Sequence, residues 1–440
     1  MFKRLHHWIM NPSDMVGRVI ANVSWLAMGN VVTALLGIVI NLWMANHFGP
    51  EQYGIYAFVI SVVMIVVPIA DMGINSILIR ELASKDHSES LSMGSGFLIR
   101  VVFGLITFAL TGLMMLLFYS DDPMLQKYVM IGMIVLAPRL LNIAEASLNA
   151  KIEARYVVIA RLIATVSITL ARIAALLMDR SLVLFIWLSV IQAAIEGGFL
   201  LYFYLKRQGR ILAWQVSWAQ CVYLLKASWP LAVSGISASI LVRFDQVMLQ
   251  KYMGDAAVGH YSVALLFTEG PSFIPMIICL SVFPALVQLR KINPQLYVIR
   301  NQQFHDVVIW VGLGLAVAVT VFVPWFIRYF MGDFYGPSLA VLRILPWCLF
   351  MVAAAVVQSH YMMAENQQWV GSVARVVGCS LNVLLNLLWI PPYGLVGAAW
   401  ASLLSLVVIV LVVPGLFPQT RVCIGHFFKA ISAPIRLIVS

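Results

Sequence analysis

Apolar residues run in stretches of about 20 or more along nearly the whole chain, parted by short polar turns. As a helix, each stretch can cross a hydrocarbon core roughly 30 Å thick. The pattern predicts about twelve transmembrane helices. Six lie near 22–46, 54–80, 94–119, 124–148, 156–178 and 181–205, and six near 228–250, 257–288, 306–330, 337–363, 369–390 and 394–417. Most connections are short, so consecutive helices are expected to be antiparallel neighbours. The longest interruption away from the ends, 206–227, separates the two sets of six. The expected layout is a half at 1–205, a cytoplasmic linker at 206–227, a half at 228–417 and a cytoplasmic tail at 418–440. The fold expectation is an all-α polytopic membrane protein, with two six-helix bundles around a central cavity.

A repeat supports the division. The first outside turn reads FGPEQYGIYAF and the fourth reads MGDAAVGHYSV. Both carry G-x-x-x-x-G-x-Y, at Gly49, Gly54 and Tyr56 and again 205 residues later at Gly254, Gly259 and Tyr261. Each copy joins the first and second span of its half. Six spans, an even number, separate them, so the halves should be parallel repeats about an axis along the membrane normal.

Composition sharpens the class. Hydrophobic residues make up 62% of the 440 and charged ones 10%, with a mean hydropathy of +0.95. The net charge of +10 would suggest nucleic acid in a soluble protein; here its distribution gives orientation instead. With the N-terminus inside, cytoplasmic segments hold Lys3, Arg4, Arg18, Arg80, Lys85, Lys151, Arg155, Lys206, Arg207, Arg210, Lys226, Arg290, Lys291, Arg300, Arg421, Lys429 and Arg436. Outside loops hold Lys127, Arg180, Lys251 and Arg328. Both termini are therefore expected in the cytoplasm, the first as a basic interfacial segment with no cleavable leader pattern. Five scattered cysteines imply neither a disulfide framework nor a metal site. No Walker A, G-x-S-x-G or H-E-x-x-H sequence occurs, so no enzyme, catalytic residue or cofactor is expected.

Arginines nevertheless recur inside the apolar runs: Arg100, Arg139, Arg161, Arg172, Arg243, Arg343 and Arg375. Facing lipid, they would together cost on the order of 20 kcal/mol. Lining a wet cavity, they would bind an anion. They fall in polar stripes at helical spacing, such as Arg161, Thr165 and Arg172 on the fifth span and Ser239, Arg243, Gln246 and Gln250 on the seventh. Others are Arg100, Gly104, Thr107 and Thr111, and Arg375, Asn382 and Asn386. Guanidinium groups grip phosphate bidentately, and amides and hydroxyls suit sugars. The competing reading for Arg100, Arg161 and Arg375, about two turns from the cytoplasmic ends, is snorkelling to head groups. Arg343, near the outside, shares it. Arg139, close to Asn142 and Glu145, has an internal ion pair as its rival. Arg172 and Arg243 sit deepest, and Arg243 is the strongest candidate. The embedded acids Asp71, Glu145, Glu196, Asp245 and Glu269 serve either ion coupling or charge balance. Tyr53, Tyr128, Trp229 and Tyr393 read as interfacial anchors, and Pro68, Pro271, Pro275 and Pro284 as helix kinks.

Three segments carry a family likeness. FGPEQYGIYAFVISVV with DMGINSILIRELA, FDQVMLQKYMGDAAVGHYSVA and PPYGLVGAAWAS resemble the O-antigen (Wzx-type) flippases. These form part of the polysaccharide transporter family in the multidrug/oligosaccharidyl-lipid/polysaccharide (MOP) exporter superfamily. The resemblance spans nearly the whole chain. It implies flipping of undecaprenyl-diphosphate-linked oligosaccharide across a bacterial inner membrane, from cytoplasmic to periplasmic leaflet. A polysaccharide polymerase and a chain-length regulator would be its partners, and lipopolysaccharide biosynthesis its setting. Two other readings stand beside it. A multidrug-type antiporter of the same superfamily would want an acidic cavity. A membrane polysaccharide polymerase or glycosyltransferase would want a larger outside loop than any here.

Overall fold

The computed structural model describes residues 15–84, 88–208 and 213–433. Lys3, Arg4, Lys85, Arg210 and Arg436, used above for orientation, lie outside them, as does the side chain of Arg18. Among the described residues every regular element is helical. In order these are α1 (Met15–Asp71), α2 (Ile74–Ser84), α3 (Glu89–Phe118), α4 (Pro123–Met133), α5 (Ile143–Ala150), α6 (Ala154–Leu177) and α7 (Leu182–Gln208). There follow α8 (Trp218–Met253), α9 (Asp255–Glu269), α10 (Phe273–Ile292), α11 (Pro294–Phe330), α12 (Leu345–Ala364), α13 (Gln368–Val407) and α14 (Arg421–Ile431). Single turns such as Leu136–Arg139 and Ser338–Val341 join some of them.

Among the described residues, ten helical stretches are long and apolar enough to cross a membrane. Two are too long to cross only once. Straight, the 57 residues of α1 and the 40 of α13 would reach roughly 85 and 60 Å, at least twice a hydrocarbon core. Each breaks at a glycine with positive φ, Gly49 (71°) and Gly394 (56°), a conformation that a side chain disfavours. The second break is tight, because a Cβ on Gly397 would strike the Trp389 carbonyl. With each arm counted separately, the ten stretches supply the twelve spans expected.

The differences have local causes. α8 and α11 start about three turns before the apolar runs near 228 and 306. The start of α11, through Arg300 and Asp306, is polar and helical at once, and that of α8 carries Gln220 and Lys226 among apolar residues. The expected linker is correspondingly short of irregular chain, since α7 runs to Gln208 and α8 begins at Trp218. Pro271 sits in the 3₁₀ turn between α9 and α10, whereas Pro284 stays inside α10. Tyr53 and Tyr128 are buried and so are packing residues, unlike the exposed Trp229 and Tyr393.

The described chain packs as two compact units. One holds residues up to Ile40 with Val59–Ser239, and the other Asn41–Phe58 with the chain from Ile240. The first has a core of Ile74, Leu78, Met93, Ile143, Leu148, Val157 and Leu200. The second packs Cys279, Phe304, Val308, Ala353 and Val357. The first outside turn thus belongs with the second unit, where the Tyr335 hydroxyl donates to the Ala45 carbonyl at 2.7 Å.

Candidate functional site

In the first unit, the stripe on α6 meets a complementary stripe on α7. Arg161 Nε lies 3.3 Å from Glu196 Oε1, Gln192 Nε2 lies 3.5 Å from Thr165 Oγ1, and Arg172 Nη2 donates to Ser189 Oγ at 2.9 Å. The residues on α7 recur at three and four positions, so they share one face. Antiparallel neighbours then bring them opposite 161, 165 and 172 in reverse order. Arg161 also approaches Glu145 of α5 at 3.8 Å. On α3, Arg100, Gly104, Thr107 and Thr111 are all buried, with Arg100 Nη2 3.5 Å from Asp71. Arg139, at the end of the Leu136–Arg139 turn, makes no ion pair with a described residue.

In the second unit, Arg243 Nη2 lies 2.6 Å from Glu269 Oε2 and its Nη1 lies 3.5 Å from Gln246 Oε1. Two residues on, Asp245 is buried among neutral groups. The Tyr261 hydroxyl donates to its Oδ2 at 2.6 Å and the Ser402 hydroxyl donates to the same oxygen. Asn386 Nδ2 donates to Oδ1 and, at 3.0 Å, to Asn382 Oδ1. Oxygen atoms of Asp245, Tyr261, Ser402 and Asn382, from α8, α9 and α13, gather around the Asn386 amide N–H₂. Asp71, Glu145, Glu196 and Glu269 each lie against an arginine, whereas no basic side chain among the described residues is bonded to Asp245. A carboxylate, hydroxyls and amide oxygens together suit a proton or a hard cation. Asp245 and Glu269 border one cavity of about 400 Å³, with Leu241, Leu345 and Leu406 among its apolar lining.

Several arginine N–H groups are buried with no acceptor among the described residues: Nε and Nη1 of Arg100, and Nε of Arg139, Arg172, Arg243 and Arg375. Thr107 Oγ1 is likewise buried without a partner, and Asn142 Oδ1 and Asn386 Oδ1 are buried acceptors without a donor among the described residues. Arg343 stands apart, exposed just before α12. Sequence reasoning missed Ser189, Gln192, Tyr261 and Ser402. The helical spacing of Ser189, Gln192 and Glu196 was the available signal for the first two. It also passed over Glu365, which accepts from Arg290 at 2.7 Å and from Tyr297 at 3.1 Å.

A family model described as polysaccharide biosynthesis protein matches residues 19–290, more than half of the chain. The probable low-salt glycan biosynthesis flippase Agl15 of Haloferax volcanii is 26% identical over 183 residues, which cover 40% of this chain and 38% of that protein. The match thus spans less than half of that relative. Among solved structures, the lipid II flippase MurJ in an inward closed conformation is similar with a TM-score of 0.72 at 15% identity, covering 94% of this chain and 91% of that one. An inward-facing multidrug resistance MATE transporter of the MOP superfamily gives 0.69 at 14%, covering 92% and 99%. The chain therefore shares the multi-helix membrane fold of these structures, and it belongs to the polysaccharide biosynthesis protein family.

Proposed function

We propose that the chain flips an undecaprenyl-diphosphate-linked oligosaccharide, an O-antigen or related repeat unit, from the cytoplasmic to the periplasmic leaflet of a bacterial inner membrane. The observation that carries the reading is the set of buried arginine N–H groups without protein acceptors, at Arg100, Arg139, Arg172, Arg243 and Arg375. Leaving such a donor unmet costs roughly 1–3 kcal/mol each, which a hydrated diphosphate offsets. Transport proceeds by alternating access, with both termini in the cytoplasm and helical halves at 1–205 and 228–417. A head group with two negative charges gains roughly 4–5 kcal/mol per 100 mV on moving to a positive outside. Asp245 supplies the coupling: it takes up a proton or a small cation as the site turns. A polymerase and a chain-length regulator would receive the product.

The test is reconstitution in liposomes with a defined undecaprenyl-diphosphate oligosaccharide, following its appearance in the opposite leaflet. Imposed potential, proton and sodium gradients then separate the driving forces. A second reading, export of organic cations, draws support from Asp245 and Glu269 on one cavity wall. Cation export without glycolipid transfer in the same liposomes would replace the first reading by the second.

A further inference from the structure

At the end of the first unit where α6 begins and α7 ends, Arg155, Lys206 and Arg207 are exposed. Glu153 stands 3.8 Å from Arg207, one acid against three bases. Two guanidinium groups converge on a single ring. The Cζ of Arg155 lies 4.7 Å from the Tyr156 centroid and that of Arg207 lies 5.1 Å away. Both also donate an N–H to the Tyr156 hydroxyl, Arg155 at 2.9 Å. Beside them Lys206 Nζ is 5.8 Å from the Tyr202 ring. The tyrosines belong to one aromatic cluster, with Phe203 5.0 Å from Tyr156 and 5.5 Å from Tyr202.

Like charges repel, and a phenol oxygen can accept from only a few of the ten N–H groups that two guanidinium groups offer. The arrangement is completed by an anion that bridges both. Tyr202 and Leu205 are exposed while Tyr204 between them is buried, so the patch lies on the outer flank of the unit. Aromatic rings under basic side chains at a span end mark the head-group level of a bilayer. We propose that Arg155, Tyr156 and Arg207 form a head-group site for an acidic phospholipid of the adjoining leaflet. The phosphodiester oxygens accept from both guanidinium groups, Lys206 adds a long-range attraction, and the acyl chains run along Tyr202 and Leu205.

Native mass spectrometry of the purified full chain, with phosphatidylglycerol or phosphatidylcholine added, tests this. Phosphatidylglycerol should remain bound in preference, and Arg155→Gln/Arg207→Gln should cut its retention at least about tenfold. Arg155→Lys/Arg207→Lys, which keeps charge and folding but loses the planar fork, should fall between. Lys291→Gln/Arg300→Gln, on exposed basic residues of the second unit, should leave retention unchanged. Equal loss in that control would assign binding to the general positive field and overturn the site. Equal retention of phosphatidylcholine, or full retention by the lysine pair, would overturn it too. Displacement of phosphatidylglycerol by an equimolar undecaprenyl diphosphate would make the patch a substrate station instead.

Discussion

Gly54 and Gly259 are each pressed against a backbone carbonyl of the other's turn. A Cβ on Gly54 would lie 1.8 Å from the Asp255 oxygen, and one on Gly259 would lie 1.9 Å from the Pro50 oxygen. Asp255 follows Gly254 as Pro50 follows Gly49, so the contact is reciprocal across the repeat. Copies of the turn at opposite membrane faces could not make this contact; both copies lie in the second unit.

Alanine at either glycine must therefore move main chain, not a flexible side chain. Overpacking costs roughly 1–3 kcal/mol, and a backbone obstacle puts both sites at the upper end. Gly54→Ala and Gly259→Ala should each lower the melting temperature and membrane yield to a similar degree. Gly198→Ala, where nothing lies within 4 Å, should lose nothing. Unequal losses at the two repeat positions would contradict the reciprocity.

Asp245 presents a different kind of test, because its partners are neutral. Asp245→Asn removes the charge that a coupling cation would answer and turns an N–H₂ toward the donors on one of its two oxygens. Transport should fall at least about tenfold and what remains should lose its dependence on a proton or sodium gradient. Tyr261→Phe, which deletes one donor and keeps the carboxylate, should retain the dependence. Gradient-coupled transport by Asp245→Asn at the original rate would exclude the carboxylate from coupling.

The spans and the two glycine turns were legible because they are local: an apolar run or an eight-residue pattern carries its own signal. The arginines were legible as anomalies, but their partners were not. Glu196 is 35 residues from Arg161, and Asn386 and Ser402 are 141 and 157 residues from Asp245. Only packing brings these together. Periodicity on α7 came closest to showing a partner, since Ser189, Gln192 and Glu196 share the face that meets α6. The start of α11 escaped because hydropathy marks apolar runs and is silent on a helix rich in Arg300, Gln302, Gln303 and Asp306.

A pH dependence is expected at α14. His426 is buried against α11, with Nδ1 on Gln302 Oε1, Nε2 3.5 Å from Asn301 Nδ2 and its ring stacked 4.9 Å from His305. The edge of Tyr361 faces it as well. Burial, then Lys429, lower its pKa from 6.5, against a weaker pull upward from Asp306. Between that lowered value and 6.5 the detached helix binds more protons than the docked one. Docking therefore weakens as pH falls below about 6.5 and is flat above it. Cys423, buried with its thiol pushed up to about 12, reports on this. In a variant keeping only that cysteine, labelling relative to a His426→Gln partner should rise between pH 7.5 and 5.5. A constant ratio would remove His426 from the docking equilibrium.

Arg243 and Glu269, 2.6 Å apart with side chains 16% and 35% exposed, allow two roles for the arginine. It either neutralises Glu269 or shares its guanidinium between Glu269 and the diphosphate. The buried Nε without an acceptor favours the second. Arg243→Ala should lower transport at least about tenfold, the loss of one charge-assisted contact. Arg243→Lys should recover part, because an ammonium keeps the charge without the fork. Those single changes do not separate the roles, since each also disturbs Glu269. The double variant Arg243→Ala/Glu269→Gln does. With no carboxylate left to neutralise, a counter-ion role predicts restored transport. An anion contact predicts that the double variant stays as poor as Arg243→Ala. We expect the latter, with Glu269→Gln alone retaining most activity because it frees the guanidinium for the substrate. Recovery in the double variant, measured in the same liposomes, would make Arg243 a structural partner of Glu269 and leave diphosphate binding to Arg100, Arg139, Arg172 and Arg375.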